Sequence, residues 1–197
     1  MNRLLILPVL LLNLLVGNPA FSADFQKGMD AFDKEDYATA LREWKPLAEQ
    51  GYALAQNNLG VMYEKGQGVS QNYKTAVKWY TLAAEQGNPA AQFNLGQNYD
   101  KGEGVSQNYK TAVKWYTLAA EQGYALAQFN LGVMYDKGEG VIQNYVRAHM
   151  WGNLGASNGN ENGARLRDLV AKKMTPADIS KAQRLARECV KKNYKGC

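Results

Sequence analysis

The residues of this chain that could do chemistry are few and far apart. Its single histidine is His149, and its two cysteines, Cys189 and Cys197, both lie at the carboxyl end. A catalytic histidine needs a nucleophile and an orienting acid, and the flanking segment VRAHMWGN supplies neither. Zinc sites use clusters of Cys and His, which these three residues do not form. We therefore predict no enzyme activity, no metal and no cofactor, with a structural or surface role for His149.

The cysteine pair is interpreted as a terminal clamp. In ECVKKNYKGC the two residues close a short loop, and an oxidising compartment favours their pairing. A Cys189–Cys197 disulfide would contribute about 2.5 kcal/mol in the chain-entropy model. A redox pair usually has the closer C-x-x-C spacing beside a βαβ pattern, and the sequence has neither. The sequence leaves open whether the bridge forms within one chain.

Two other motifs carry no predicted chemistry. KGEGV combines lysine and glycines before a helix, but it lacks the G-x-x-x-x-G-K-[ST] order of a phosphate loop. It also recurs along the chain, which favours a connecting turn. Glu35 and Asp36 are adjacent carboxylates without the apolar surroundings that raise a pKa for acid catalysis.

The first 23 residues have the layout of a secretory signal peptide. Arg3 precedes an apolar run over residues 4–17, and small residues follow, with cleavage predicted after Ser22 or Ala23. The run is shorter than the roughly 20 apolar residues that span a membrane. We predict an exported protein, periplasmic or secreted, with no membrane insertion.

The formal net charge of +5 is unevenly distributed. Residues 164–197 contain ten Lys or Arg against three acidic residues. Because an exported protein rarely meets nucleic acid, we predict no nucleic-acid partner. The basic segment is interpreted as a solvated helix surface, and weak contact of this C-terminal cap with an anionic surface is the alternative.

The chain repeats itself with a period of 36 residues. KGQGVSQNYKTAVKWY at 65–80 recurs at 101–116 with one change, Gln67 to Glu103. The three copies keep glycines and aromatic residues in register, as at Trp79, Trp115 and Trp151. Such a period is typical of a solenoid, whose units bury their apolar faces only by stacking.

Each copy is predicted to form two amphipathic helices. In the first copy apolar residues recur every three or four positions, at Ala55, Leu59, Tyr63 and then Tyr73, Ala76, Trp79 and Ala83. Glycines of KGQGV end the first helix in a left-handed turn, and Asn72 caps the second. Gly60 in mid-helix costs about 1 kcal/mol relative to alanine, so we predict close packing there. The expected fold is an all-α solenoid with a buried Trp and two Tyr per unit.

The pattern AQ.NLG..Y.KG.GV.QNY..A..W...AA.QG resembles the Sel1-like repeat, a relative of the tetratricopeptide repeat with a longer, glycine-containing turn. Three copies cover residues 51–158, with asparagine at the cap position where the family often has Asp. Residues 24–50 resemble an ordinary tetratricopeptide helix pair. Residues 159–197 are predicted to be a C-terminal capping helix pair, with helices at about 163–173 and 176–191 and Thr175 as a cap.

The resemblance implies that the first helices of the units line the inner, concave curve. Asn58, Asn94 and Asn130 match the positions of peptide-contacting asparagines, whose amides can donate to and accept from a peptide backbone. Bonds to their own or neighbouring helices are the equal alternative. Phe93 and Phe129 are candidate anchors for a partner side chain, with packing between helices as the alternative. Val61, Gln97 and Val133 lie one turn further on, and Gln97 is included in the predicted site.

The expected function is recognition of a protein or peptide by an exported scaffold or adaptor. The alternative is binding or hydrolysis of cell-wall fragments or β-lactams, which has been linked to cysteine-rich relatives. Those relatives carry a disulfide in each repeat, and this chain has no cysteine in its repeats. The missing disulfides and the missing nucleophile therefore favour the scaffold.

Overall fold

The structure is a computed structural model that describes residues 24–197, so the predicted signal peptide lies outside the described residues. The described chain contains ten α-helices and no strand, as the all-α prediction required. Their bounds are α1 Phe25–Asp33, α2 Tyr37–Glu49, α3 Ala53–Lys65, α4 Tyr73–Glu85, α5 Pro89–Lys101, α6 Tyr109–Ala120, α7 Ala125–Lys137, α8 Tyr145–Ser157, α9 Glu161–Ala171 and α10 Pro176–Lys191. Within this range no helix is both long and apolar enough to cross a bilayer.

The first eight helices form four consecutive hairpins. Each odd-numbered helix, here called an A helix, packs against the even-numbered B helix that follows it, and each B helix packs against the next A helix. Every hairpin therefore shares its apolar faces with its neighbours. This stacking is the solenoid that the 36-residue period predicts.

The helix ends follow the predicted cap chemistry. The side chain of Asn72 accepts a hydrogen bond from the backbone N–H of Thr75, and Asn108 and Asn144 repeat this cap at α6 and α8. Gly66 ends α3 at φ 69°, in the left-handed region that glycine adopts without strain. Asn and Gly thus fix where each helix begins and ends.

A glycine in the middle of each A helix makes room for a large side chain. The ring of Tyr80 fills the space beside Gly60, and Tyr116 does the same at Gly96, where a Cβ would lie 2.7 Å from the ring. Both tyrosines are fully buried. The close packing predicted at Gly60 is present, and its partner is a tyrosine ring.

The prediction of a buried tryptophan in every unit is wrong. Trp79 and Trp115 are only half-buried, and Tyr80 and Tyr116 are the buried aromatic residues. The reason is that the position after each Trp is the one that faces the glycine of the paired A helix, so the tyrosine ring takes the buried place. Trp151 alone is buried at this register, because α10 packs over α8.

The third copy departs from the pattern because Gly152 stands where a tyrosine would be. The space beside Gly132 is filled by Leu166 of α9. Without a ring at Gly152, α9 approaches α8 so closely that a Cβ at this position would lie 3.0 Å from the carbonyl oxygen of Gly163. The absence of a tyrosine at this position therefore permits the close α8–α9 contact at which the repeat array ends.

The two C-terminal helices do not pack against each other as a hairpin. Helix α9 begins at Glu161, two residues before the predicted start, and α10 has the predicted bounds with Thr175 as its cap. Helix α10 packs mainly against α8 and makes little contact with α9. The physical reason is the tight α8–α9 contact, which leaves Trp151 and Leu154 to be covered by α10. The chain ends in the Cys189–Cys197 disulfide, with an S–S distance of 2.04 Å.

Glutamines fasten each hairpin to the next. The buried Gln56 donates to the carbonyl oxygen of Ala48, eight residues earlier at the end of the preceding B helix, at 3.0 Å. Gln86 then donates to the Oε1 of Gln56 at 2.7 Å. The same bonds recur at Gln92 with Gln122 and at Gln128 with Asn158. We call this series the glutamine ladder, and it gives the carbonyls of Ala48, Ala84 and Ala120 a second hydrogen bond beside the one from the following glycine N–H.

Replacing Gly96 with alanine tests the glycine–tyrosine contact. Alanine has the higher helix propensity, yet its Cβ would overlap the buried Tyr116 ring, so we expect a loss of about 1–3 kcal/mol in the free energy of unfolding. Urea denaturation measures it. In a Tyr116→Ala background the same substitution should become neutral or stabilising. An equal loss in both backgrounds would contradict the contact.

Reduction of the disulfide tests the terminal clamp. We expect dithiothreitol to speed hydrogen exchange over residues 189–197 while the far-ultraviolet circular dichroism stays unchanged, because the bridge closes only the last loop. Cooperative unfolding of the whole chain on reduction would show that the bridge supports the solenoid itself.

Candidate functional site

One face of the array is formed by the A helices. Half-buried side chains stand on it at matching register positions, and we call them the A-helix face: Met29, Asn58, Val61, Asn94, Gln97, Asn130 and Val133. The face runs through α1, α3, α5 and α7. It brings together the three predicted asparagines and Gln97, with their side chains partly open to solvent.

Two of the three asparagines, Asn58 and Asn94, make side-chain contacts with neighbouring side chains. The Nδ2 of Asn94 donates to the Oδ1 of Asn57 at 3.1 Å, and the Nδ2 of Asn57 donates to the Oδ1 of Asn58 at 3.4 Å. The Nδ2 of Asn58 also lies 3.5 Å from the sulfur of Met29. The alternative of intramolecular bonding is therefore realised for Asn94 and Asn58. Each amide has two donor hydrogens and two acceptor sites, so these contacts use only part of its capacity.

The two phenylalanines occupy different environments. Phe93 is only 7% exposed, and its ring centroid lies 5.4 Å from that of Tyr124 and 5.9 Å from that of Tyr116. Its assignment as a groove anchor is therefore corrected to packing between helices, because the rings of Tyr116 and Tyr124 enclose it. Phe129 is half-buried beside Leu166, so part of its ring remains open to solvent and it stays a candidate anchor.

An apolar cavity lies at each end of the A-helix face. The first, of about 160 Å³, is lined by Met29, Phe32, Asp33, Trp44, Asn58 and Val61. The second, of about 370 Å³, is lined by Phe129, Val133, Asp136, Asn162, Arg165, Leu166 and Leu169. The row of amides lies between the two cavities. It adjoins the first cavity at Asn58 and Val61 and the second at Phe129 and Val133.

Carboxylates near the ends of the A helices are engaged in structural contacts. The hydroxyl of Tyr80 donates to Glu64, and that of Tyr116 donates to Asp100 at 3.3 Å. Burial raises the pKa of the Asp100 carboxyl, and the Tyr116 hydrogen bond opposes that shift. Where the third copy lacks the tyrosine, Asp136 instead pairs with Lys173 at 2.8 Å. These acids hold helices together.

His149 is buried in α8, away from the A-helix face. It is 3% exposed, and its Nδ1 has no hydrogen-bond partner among the described residues. Burial lowers the pKa of His149, and the charge of Arg167 on α9 lowers it further, while Asp168 acts in the opposite direction. No group of three His, Cys, Asp or Glu side chains suited to a metal ion occurs within residues 24–197.

Sequence reasoning missed the contribution of the first helix pair to this face. Gly28 receives Trp44 as Gly60 receives Tyr80, so α1 aligns with α3 at an offset of 32 and not 36. With that offset Met29 is the equivalent of Val61, and both residues line the first cavity. The contribution of α9 was also missed, because no repeat pattern connects Leu166 to the glycine that it covers.

The geometry is that of an α-solenoid whose surface offers amides and apolar cavities. A family model of the Sel1 repeat matches residues 53–88, 89–124 and 125–160. The crystal structure of a Sel1 repeat protein from Oxalobacter formigenes is similar, with 32% sequence identity and a TM-score of 0.67 over 84% of this chain and 75% of that one. A second similar structure is c5321, described as a protective antigen present in uropathogenic Escherichia coli strains displaying an SLR fold. It is 29% identical with a TM-score of 0.55, over 86% of this chain and 46% of that one. No curated protein matches.

The class of protein is therefore an all-α helical-repeat solenoid. Within that class the chain belongs to the Sel1 repeat family. Proteins of this family generally act as scaffolds for protein–protein interaction and are typically non-enzymatic.

His149 predicts a pH dependence of stability. Its pKa in the fold lies below the unfolded value of about 6.5, so as pH falls the unfolded chain takes up the proton first. We expect stability to be highest above that value and to fall as the pH drops through it toward the lower pKa of the folded state. His149→Val, which installs the residue found at 77 and 113, should flatten this slope in urea titrations at each pH. An unchanged slope would assign the dependence to other groups.

Proposed function

We propose that this chain is an exported binding protein that holds an extended peptide segment of a protein partner along the A-helix face. The single observation that carries the proposal is the row of half-buried amides with an apolar cavity at each end. Family membership supports a binding role, and the position and chemistry of the face extend it to a particular surface.

The chemistry of the face suits a peptide main chain. Asn58, Asn94, Gln97 and Asn130 present groups that both donate and accept, as the N–H and C=O of an extended segment require. The two cavities are apolar and offer space for side chains that anchor the segment at its ends. Both the anchors and the amides would contribute to affinity, and the amides would also align the segment.

Export is supported by two separate features of the chain. The first 23 residues have the layout of a signal peptide, and the two cysteines of the chain are joined in a disulfide. Disulfides persist in oxidising compartments and are rare in the cytosol. Both features suit a periplasmic or secreted protein.

Recognition without turnover is supported by the state of the reactive groups. His149 is buried away from the face, and the described carboxylates near the helix ends bind tyrosines or lysine. The cell-wall alternative gains no support from the repeats, since they contain no cysteine.

A triple substitution tests the proposed face. Peptides selected from a random library against the full chain would be measured by fluorescence anisotropy. Asn58→Ala, Asn94→Ala and Asn130→Ala together should weaken binding at least about tenfold, since each lost hydrogen bond is worth about 1 kcal/mol. The matched control replaces Lys78 and Lys114, exposed on B helices, with alanine.

The proposal also predicts which results accompany the loss. Circular dichroism and the melting temperature of the triple variant should stay close to those of the parent, because the asparagines lie outside the core. Equal affinity of the triple variant and the parent would remove the amides from the site. Turnover of nitrocefin by the purified chain would contradict recognition without catalysis.

A further inference from the structure

The chain's own C-terminal tail occupies a site on the third repeat. The ring of Tyr194 packs against Gly123, where a Cβ would lie 3.1 Å from the ring. Its hydroxyl donates to the Oδ1 of Asn158 at 3.1 Å, and the N–H of Gly196 donates to the Oε1 of Glu121 at 2.9 Å. The tail therefore contacts a glycine turn, an amide and a carboxylate. These groups lie at the turns between hairpins, apart from the A-helix face.

The 36-residue period places the same three groups at two earlier turns. Gly123, Asn158 and Glu121 correspond to Gly87, Gln122 and Glu85, and one period earlier to Gly51, Gln86 and Glu49. We call these the occupied turn, the second turn and the first turn. Gly51, Gly87 and Gly123 share the left-handed conformation, with φ of 96°, 88° and 81°. The glutamine ladder holds the three amides in equivalent places.

The first and second turns are open where the third is covered. Glu49, Glu85, Gln86 and Gln122 are exposed, whereas Glu121 and Asn158 are half-buried beneath the tail. No atom of the described chain, other than near neighbours in sequence, would lie within 4 Å of a Cβ at Gly51 or Gly87. Gln86 and Gln122 use their Nε2 groups in the ladder, and neither Oε1 accepts a hydrogen bond within residues 24–197.

The seated tail shows what chemistry fits such a turn. It is a lysine-rich loop closed by the Cys189–Cys197 disulfide, and it holds Asn193 and Tyr194 at φ of 49° and 64°. The left-handed backbone projects the tyrosine ring onto the glycine. The loop's positive charge complements the exposed carboxylates at Glu49 and Glu85.

We propose that the first and second turns are docking sites for a basic, tyrosine-bearing loop of a protein partner, bound as Tyr194 is bound at the occupied turn. The glycine takes the ring, the glutamine Oε1 accepts from the hydroxyl, and the glutamate accepts from a backbone N–H. Two such sites one repeat apart favour a partner that presents two loops, since the second contact is then intramolecular.

One contact of the tail has no counterpart at the open turns. Arg147 donates to the carbonyl oxygen of Cys197, and its equivalents in the earlier copies are Thr111 and Thr75. A single loop should therefore bind an open turn more weakly than the tail binds its own. The tail also benefits from its covalent attachment, which raises its effective concentration.

The test uses the loop itself as the probe. The synthetic peptide CVKKNYKGC, oxidised to its disulfide form, is titrated into the isotope-labelled full chain and followed by amide chemical shifts. We expect shifts at Gly51 and Gly87 and none at Gly123. Glu49→Gln with Glu85→Gln, and separately both to Lys, should weaken binding about tenfold or more, because a hydrogen bond to a charged group is lost. Glu103→Lys, at the other end of a repeat, is the matched control and should bind normally.

Three results would overturn the proposal. The first is the absence of shifts at Gly51 and Gly87 at millimolar peptide. The second is equal binding of a peptide in which the tyrosine is alanine, which would show charge attraction alone. The third is movement of the same amides when the chain is concentrated without peptide, which would make a second copy of this chain the occupant. Any of these results would leave the peptide-binding proposal for the A-helix face standing, because that proposal is tested with other peptides and other substitutions.

Discussion

The structure depends on a glycine in each A helix that receives a large side chain from the element packed against it. At Gly60 and Gly96 the guest is a tyrosine of the paired B helix, and at Gly28 it is Trp44. The glycine costs helix propensity, but burying an aromatic ring against it recovers more, since such a ring covers about 150–250 Å². Because the ring comes from the partner helix, the same contact sets how closely the helices of each hairpin approach.

This contact also explains how the repeat array stops. When Gly152 replaces the tyrosine, the third copy has no ring of its own to place beside Gly132, and Leu166 of α9 fills the space. Helices α8 and α9 then meet through Gly152 and Gly163, and α10 turns back over α8. Asp136, released from a tyrosine partner, pairs with Lys173 at the end of α9. One substitution of a bulky residue by glycine is thus coupled to a new helix, a new ion pair and a covered chain end.

Much of this fold could be predicted from the sequence, because period, caps and turns are local signals. The 36-residue repeat, the asparagine caps and the bounds of α10 required no knowledge of distant contacts. The identity of the buried aromatic did require it, since Trp79 and Tyr80 are neighbours and only the packing of one of them against Gly60 decides between them. Phe93 shows the same limit within the candidate site. Its register matches that of Phe129, but Tyr124 and Tyr116 enclose it whereas Phe129 borders the last cavity.

The amide side chains of the repeats have two separate roles, one in the glutamine ladder and one on the A-helix face. Gln56, Gln92 and Gln128 are buried and donate to carbonyls at the end of the preceding B helix, so they fix the register of one hairpin on the next. Asn58, Asn94 and Asn130 come two positions later on the same helices and are half-exposed. A helix rotates by about 200° over two residues, so neighbouring amides in the sequence face opposite sides. The sequence QNN or QFN therefore places a structural amide and a candidate recognition amide within one turn, and stacking repeats both at constant spacing.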